Sequence, residues 1–412
     1  ALMYSFLNRF TNNIEFYQPD RYTEGYGVSL KSIEYANENK IDLIIALDCG
    51  IKAVDKVEKA NEYGIDFIIC DHHRPGKVTP DALAILNPKK TTCLYPYDEL
   101  CGCGIGLKLA QAIAITRDED EETWKELLDL VAIAIAADIV PITGENRILA
   151  YHGLKRVNEN PRIGITTILE LASKKIDLTI TDLVFKLAPR INAAGRIASA
   201  TKAVELLLSK DEVSSKKWSE TINAYNDERR ELDAAITEEA LKMVSEDDES
   251  KKSTVVFQKE WHKGVVGIVA SRLKEATNLP SIVIGFDGPI GKGSGRSISG
   301  VDLGFAIQKL VSEGLLLTGG GHKMAVGLSL TRENLEKAMY RLNEIIKQQG
   351  ARIDISPKVD IDALLLPRAA TLELVELLNS AGPYGPGAKA PTFAFANIQI
   401  TFIKRIGNSH LR

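Results

Sequence analysis

Ile41-Asp-Leu-Ile-Ile-Ala-Leu47 runs into Asp48-Cys-Gly50, and Ile65-Asp-Phe-Ile-Ile-Cys70 runs into Asp71-His-His73. Two short β-branched runs joined by a helix-length stretch, about Lys52 to Tyr63, read as a βαβ unit in a parallel sheet buried on both faces. Right-handed crossover topology follows. Each strand ends in acid or imidazole, and ligands of an open parallel sheet collect beyond the carboxyl ends of its strands, so these groups are expected to converge on one crevice. Carboxylate oxygen and imidazole nitrogen suit a hard or borderline divalent cation. Two such ions clamp the attacking and leaving oxygens of a phosphoryl centre. Asp138 is a further candidate, at the end of an apolar helix in Ala136-Ala-Asp-Ile-Val-Pro141. A lone Asp at such a position is most simply a turn or cap residue. Three polar groups directly after a buried strand are harder to explain by packing.

Working outward, helices are expected over Ile105 to Thr116 and Glu121 to Ala136, where Ala, Leu, Lys and Glu dominate. A charged stretch from about Asp211 to Glu246 lacks Gly and Pro, and its Trp218, Ile222, Tyr225 and Leu232 recur at roughly helical spacing, which predicts a connecting helix. After the acidic run Glu246 to Glu249, read as a solvated linker, the α/β pattern restarts. A strand (Thr254 to Phe257), a helix (about Val265 to Thr277) and a strand (Ser281 to Phe286) precede Gly-rich turns and helices near Leu303 to Ser312 and Asn334 to Gln348. From about Ile355 the pattern changes again. A helix near Ala370 to Asn379 and the cluster Gly382-Pro-Tyr-Gly-Pro-Gly387 precede alternating Phe393, Phe395, Ile398, Ile400 and Phe402, typical of a strand with one buried face.

The expected architecture is therefore α/β: a parallel-sheet domain over 1–205, a connecting helix over 206–250, a smaller α/β domain over 251–352, and the start of a third, incomplete β unit over 353–412. The length of 412 residues fits two or three domains. With 45% hydrophobic and 26% charged residues the composition is that of a folded globular chain. The net charge of -4 means that a polyanion must be met by a local basic surface. Five cysteines without paired C-x-x-C spacing argue against a disulfide framework or a zinc site and for a reducing compartment. The apolar stretches are too short to cross a bilayer, so a cytoplasmic protein is expected.

At the Asp71-His-His73 triplet the chain resembles the DHH phosphoesterase superfamily, and its other motifs narrow the resemblance to the RecJ-like, single-strand-specific exonuclease branch. These motifs cover nearly all of the chain: Pro19-Asp-Arg-Tyr-Thr-Glu-Gly-Tyr-Gly27, Leu47-Asp-Cys-Gly50, Ala137-Asp-Ile-Val-Pro141, Pro189-Arg-Ile-Asn-Ala-Ala-Gly-Arg196, Trp261 to Arg272, Gly293-Ser-Gly-Arg-Ser297 and Gly319-Gly-Gly-His322. The resemblance implies a DHH domain, a DHHA1 substrate-binding domain and the start of an OB-like domain. It also implies that Asp48, His72 and Asp138 ligate manganese or magnesium, two ions in all, with Asp71 and His73 completing or orienting the shell. Metal-activated water would attack the phosphodiester in line. The family's pattern opens with a strand ending in an Asp-x-Asp motif that supplies further ligands. Residue 1 here falls in what reads as the helix after it, so the cage of the second ion is expected to be incomplete.

Lys292, Ser294 and Arg296 lie in a Gly-rich stretch, which by itself reads as a hairpin turn. By resemblance this loop, His322, and Arg190 or Arg196 hold the backbone or 5′ phosphate of single-stranded DNA in a channel between the two domains, with Arg21 joining from the first. Tyr26 and Trp261 are candidates for base stacking, with core packing as the plainer reading. His262 either contacts phosphate or caps a helix. His152 reads as a surface or packing histidine. The small residues of Cys101-Gly-Cys-Gly-Ile-Gly106 read as allowing close helix approach and not as metal ligands. The implied activity is 5′ to 3′ degradation of single-stranded DNA to 5′ mononucleotides in repair and recombination, with single-strand-binding protein and a helicase as partners. A relative that degrades short oligoribonucleotides, or a non-catalytic single-strand binder or replication scaffold, are the competing readings.

Overall fold

The computed structural model describes residues 1–20, 23–172, 177–244, 252–349, 359–399, 401–406 and 410–411. Arg21, the run Glu246 to Glu249 and Ile400 lie outside them. By contact the chain divides into two units, one of residues 1–189, 204–219 and 358–412, the other of residues 190–203 and 220–357.

The first unit begins with α1 (Leu2–Leu7) and α2 (Leu30–Glu38), the latter opened by a capping box in which Ser29 and Ser32 satisfy each other's amides. Then come β1 (Leu43–Leu47), α3 (Val54–Glu62), β2 (Asp66–Cys70) and β3 (Ala84–Leu86), in a parallel sheet of order β1-β2-β3 with Leu47 opposite Cys70. The anticipated βαβ unit is present. Ile33 and Ala36 from α2, Val57 and Ala60 from α3, and Ala46, Phe67 and Ile69 from the strands form one core. Phe67 is fully buried there, so truncation to Ala would cost about 3–5 kcal/mol. The expectation of burial on both faces holds for β2 better than for β1, where Leu43 and Leu47 are exposed; among the described strands β1 stands at one end of the sheet order.

Packed against β1 and β2 is α4 (Gly102–Thr116), whose N-cap is Cys101: its Sγ accepts from the Gly104 amide at 3.3 Å. The helix expected over Glu121 to Ala136 is divided into α5 (Glu122–Lys125) and α6 (Leu128–Asp138), a break that lets Leu127 and Leu128 both enter the core. After α7 (Gly144–Glu159) and α8 (Ile163–Leu171), the short α9 (Ile180–Asp182) continues through a π-helical turn, Leu183–Leu187, into α10 (Ala188–Ile197). α11 (Thr201–Leu208) and the long α12 (Glu212–Lys242) follow, and α12 is the expected connecting helix.

The second unit is built on a five-stranded sheet of order β4-β5-β6-β8-β7, made of β4 (Thr254–Lys259), β5 (Ser281–Asp287), β6 (Ile290–Arg296), β7 (Thr318–Gly321) and β8 (Ala325–Thr331). Its helices are α13 (Val266–Thr277), α14 (Leu303–Ser312), capped by Asp302, and α15 (Leu335–Gln348). The Gly-rich stretch around Ser294 is therefore no turn. It is the central strand β6, hydrogen-bonded to β5 and β8 on its two sides. A Cβ on Gly291 or Gly293 would lie 2.8 Å from Ile284, and one on Gly295 would lie 2.7 Å from Val326. The glycines thus make room for the large core residues of neighbouring strands, while Lys292, Ser294 and Arg296 alternate onto the opposite face.

In residues 359–406, part of the first unit, β9 (Ala363–Leu364) pairs with β10 (Phe393–Ala394), and α16 (Leu372–Ser380) is capped by Thr371. The one-faced strand expected through Phe402 is only two residues long here, and Phe395, Ile398 and Phe402 are exposed. Among the described residues its only ladder partner is the equally short β9, so the alternation has no sheet to bury against. The Gly/Pro cluster does find a seat. The Ile142 amide donates to the Pro386 carbonyl at 2.6 Å, and a Cβ on Gly385 would lie 3.1 Å from Ile142 Cγ1.

Candidate metal centre and anion pocket

The ends of β1 and β2 are set side by side by backbone bonds one residue past each strand. The Asp48 amide donates to the Cys70 carbonyl at 2.8 Å, and the Asp71 amide donates to the Leu86 carbonyl at 3.0 Å. Asp48 itself lies in the left-handed region at φ 62°, a conformation that costs roughly 1 kcal/mol for a residue with a Cβ. His72 follows Asp71, and its Nε2 is 3.1 Å from Asp48 Oδ1 and 3.4 Å from Asp138 Oδ2. Asp138 arrives from α6, which stops there because Ile139 is left-handed at φ 57°. A β-branched residue is disfavoured in that region, and the Ile139 side chain is 64% exposed, so no burial offsets the strain locally.

Donor atoms of Asp48, His72 and His73 all lie within 4.8 Å of one another. Three separated segments expected to meet thus meet at His72, and His73 stands in the same cluster. Asp71 is buried, and both of its oxygens are engaged. Oδ1 accepts from the His73 amide and faces His73 Nδ1 at 2.7 Å, while Oδ2 accepts from the Ile51 amide at 3.0 Å. Asp71 therefore orients: a carboxylate at Nδ1 favours a proton on that nitrogen and leaves Nε2 as the ring atom open to a ligand once the ring is neutral. Asn87, also buried, fixes the next link by donating to the His73 carbonyl at 2.8 Å. Sequence reading missed Asn87, since a single Asn after a short strand carries no signal of this contact.

Burial acts to raise the Asp71 carboxyl, but the hydrogen bonds from the His73 ring and the two amides outweigh it and hold the group below its usual value. The same hydrogen bond raises the His73 imidazole, against the effect of burial. Burial raises the Asp138 carboxyl, with the His72 imidazole opposing and the Asp48 charge adding to the rise. Carboxylates crowded this way around imidazole nitrogen are relieved by a cation, and the donor set fits a divalent ion.

The second unit gathers its own group around the start of α13. A Cβ on Gly267, in the first turn, would lie 3.1 Å from Ser294 Oγ and 3.2 Å from Arg296 Nη2, so the bare helix end faces both side chains. Arg296 Nη1 donates to Ser294 Oγ at 3.0 Å, and Arg196 Nη1 donates to the Gly264 carbonyl at 2.9 Å, just before the helix. His262 sits in the same turn, its Nδ1 accepting from the Gly264 amide at 3.2 Å, and burial lowers its imidazole. Guanidinium, hydroxyl and helix amides together form a seat suited to phosphate. His322 is exposed in the β7–β8 turn, at the end of the sheet where Ala325 pairs with Arg296. Arg190 is engaged elsewhere, its Nε donating to Asn223 Oδ1 at 3.0 Å.

Of the aromatic candidates, Tyr26 is 80% exposed. Trp261 is buried in the core beneath α13 and donates from Nε1 to Glu239 at 2.8 Å, which removes it from any stacking role. His152 is exposed against Tyr151.

Residues 1–135 match the DHH family, N-terminal domain, residues 250–348 the DHHA1 domain, and residues 361–412 the RecJ OB domain. The chain is 37% identical over 410 residues to the single-stranded-DNA-specific exonuclease RecJ of Bacillus subtilis, covering 99% of this chain and 51% of that one. It is 35% identical over 422 residues to the protein of the same name from Escherichia coli, covering 97% of this chain and 72% of that one. It thus spans about half of the first relative and under three quarters of the second. A crystal structure of RecJ in complex with Mn2+ from Thermus thermophilus superposes with a TM-score of 0.81 at 28% identity, over 93% of this chain and 56% of that chain. A crystal structure of exonuclease RecJ bound to manganese gives 0.72 at 30% identity, over 84% and 86%.

Proposed function

Because the chain belongs to the RecJ family of single-stranded-DNA-specific exonucleases, we propose that it hydrolyses single-stranded DNA from the 5′ end to 5′ mononucleotides, in DNA repair and recombination. One observation carries this reading above the others: His72 Nε2 lies within 3.4 Å of carboxylates from two separate segments, Asp48 and Asp138.

Asp48, His72 and Asp138 would hold manganese or magnesium, the ions bound in the RecJ structures it resembles. When bound, such an ion neutralises phosphoryl oxygens and polarises a water nucleophile. The chain's own residues prepare the place. Asp71 favours a proton at His73 Nδ1, which would leave Nε2 of the neutral ring available to the ion. Asn87 and the Ile51 amide hold that arrangement from beneath.

In the second unit Ser294, Arg296, Arg196 and the start of α13 grip a phosphate, and His322 and Arg190 extend the surface available to the strand. Assigning the 5′-terminal phosphate to this pocket supplies the polarity. Arg21 is retained as a contact of the first unit on resemblance alone. The functional division remains a DHH domain over 1–205, a linking helix over 206–250, a DHHA1 domain over 251–352 and OB-like residues over 353–412.

A duplex must be opened before a single-strand enzyme can act, which is the chemical ground for a helicase partner, and the strand so exposed is coated by single-strand-binding protein. The cysteines are all unpaired, in keeping with a reducing, cytoplasmic setting, and no helix among the described residues is long and apolar enough to cross a membrane.

Incubation of the chain with 5′-labelled single-stranded DNA, duplex DNA and short RNA in manganese tests the reading. Mononucleotides released from single-stranded DNA alone support it. Release from short RNA alone favours the oligoribonuclease reading, and binding without release favours a scaffold.

A further inference from the structure

The run Cys101-Gly-Cys-Gly-Ile-Gly106 was expected to permit a close approach, and the structure shows what approaches. A Cβ on Gly102, the first residue of α4, would lie 2.5 Å from Asp48 Cγ and 2.6 Å from Asp48 Cβ, and nearer still to Oδ1. Real Cβ atoms essentially never come within 3.0 Å of another atom, and neither partner can give way easily. Gly102 sits in the backbone of a helix buried against the sheet, and Asp48 is fixed by its left-handed backbone and its amide bond to Cys70. Neighbouring glycines behave differently. A Cβ on Gly104 would meet Leu100 at 3.5 Å and Cys101 Sγ at 3.6 Å, ordinary contacts, and one on Gly106 would meet Leu47 at 3.5 Å.

We infer that Gly102 is a positioning residue for the metal-binding carboxylate: its bare Cα is the floor on which the Asp48 side chain rests. The start of α4 also presents partial positive charge to that carboxylate. Both features hold the Asp48 oxygens at His72. The strained φ of Asp48 then has a physical counterpart, since the left-handed turn is what lays the carboxylate over the start of α4. This inference rests on the metal reading of Asp48 proposed above, and the experiment separates the two.

A double-variant cycle on the full chain, measured as thermal unfolding in chelator, reads the seat without any metal. Gly102→Ala is expected to lower the unfolding temperature in the native background and to lose most of that effect in an Asp48→Gly background, where no side chain is left to collide. Gly104→Ala is the matched control and is expected to fold normally. Manganese titration followed by electron paramagnetic resonance supplies the second readout. Gly102→Ala is expected to weaken binding by about ten- to a hundredfold, with Gly104→Ala within about twofold of the native chain. Equal destabilisation by Gly102→Ala in both backgrounds, failure of the double variant to fold, or native manganese affinity in folded Gly102→Ala would each overturn the inference. If the native chain itself binds no manganese while the thermal cycle behaves as expected, the metal reading fails and the seat for Asp48 stands.

Discussion

Asp71 accepts two hydrogen bonds from His73 on the same oxygen, from ring Nδ1 at 2.7 Å and from the amide at 3.1 Å. One carboxylate thus fixes both the direction of the chain after β2 and the tautomer of a histidine that belongs to the donor cluster. Asp71→Asn keeps the shape but can offer its amide NH2 where the ring proton now sits, so the tautomer is no longer imposed. Turnover on single-stranded DNA is expected to fall by about ten- to a hundredfold, with the fold intact by circular dichroism. Unchanged turnover would show that the tautomer is immaterial.

The same pair sets a pH dependence of stability in metal-free protein. The Asp71 carboxyl is depressed in the fold from 3.8, so its stabilisation is present above that value and is lost as pH falls through the lower folded value. The His73 imidazole is raised from 6.5, so its contribution is full below that value and is lost as pH rises through the higher folded one. The unfolding-temperature difference between the native chain and Asp71→Asn should therefore be greatest between about pH 4 and 6.5 and narrow on both sides. A difference flat from pH 3 to 9 would refute the pairing.

Arg296→Ala removes the guanidinium that meets Ser294 and the start of α13. Affinity for single-stranded DNA should drop, and the slope of log affinity against log salt should shrink by about one unit. Equilibrium binding at several salt concentrations measures both, and an unchanged slope would place the phosphate elsewhere.

Ile139→Gly tests strain held beside the site. The left-handed backbone suits glycine, and the exposed isoleucine side chain contributes little burial, so the variant should gain about 1 kcal/mol of stability. A gain in unfolding temperature together with slower turnover would show that the strained residue serves Asp138. A loss of stability would refute the strain and assign the isoleucine side chain a packing role.

How much of this was legible beforehand depended on the range of the interaction. Asp48, Asp71, His72 and His73 could be placed from sequence because a parallel strand delivers whatever follows it to one edge, and that rule needs only the strand. The resemblance implies phosphate contacts for Ser294 and Arg296, yet their Gly-rich stretch reads as a loop. Glycine is a turn signal in isolation, and only the packing of Ile284, Phe286 and Val326 explains why three alternate positions of a central strand have no side chain. Trp261 is ambiguous in sequence, and its partner Glu239 lies on another element. The roles of Gly102, Gly267 and Asn87 are invisible without coordinates, because each consists of a contact with a residue far away in the chain.

Anomalous diffraction from crystals grown in manganese decides whether Asp48, His72 and Asp138 gather around a divalent cation. A manganese peak bonded to His72 Nε2 and to the carboxylates of Asp48 and Asp138 is expected, absent from crystals of His72→Ala. A native crystal with no peak at His72, or with manganese held only by other residues, would contradict it.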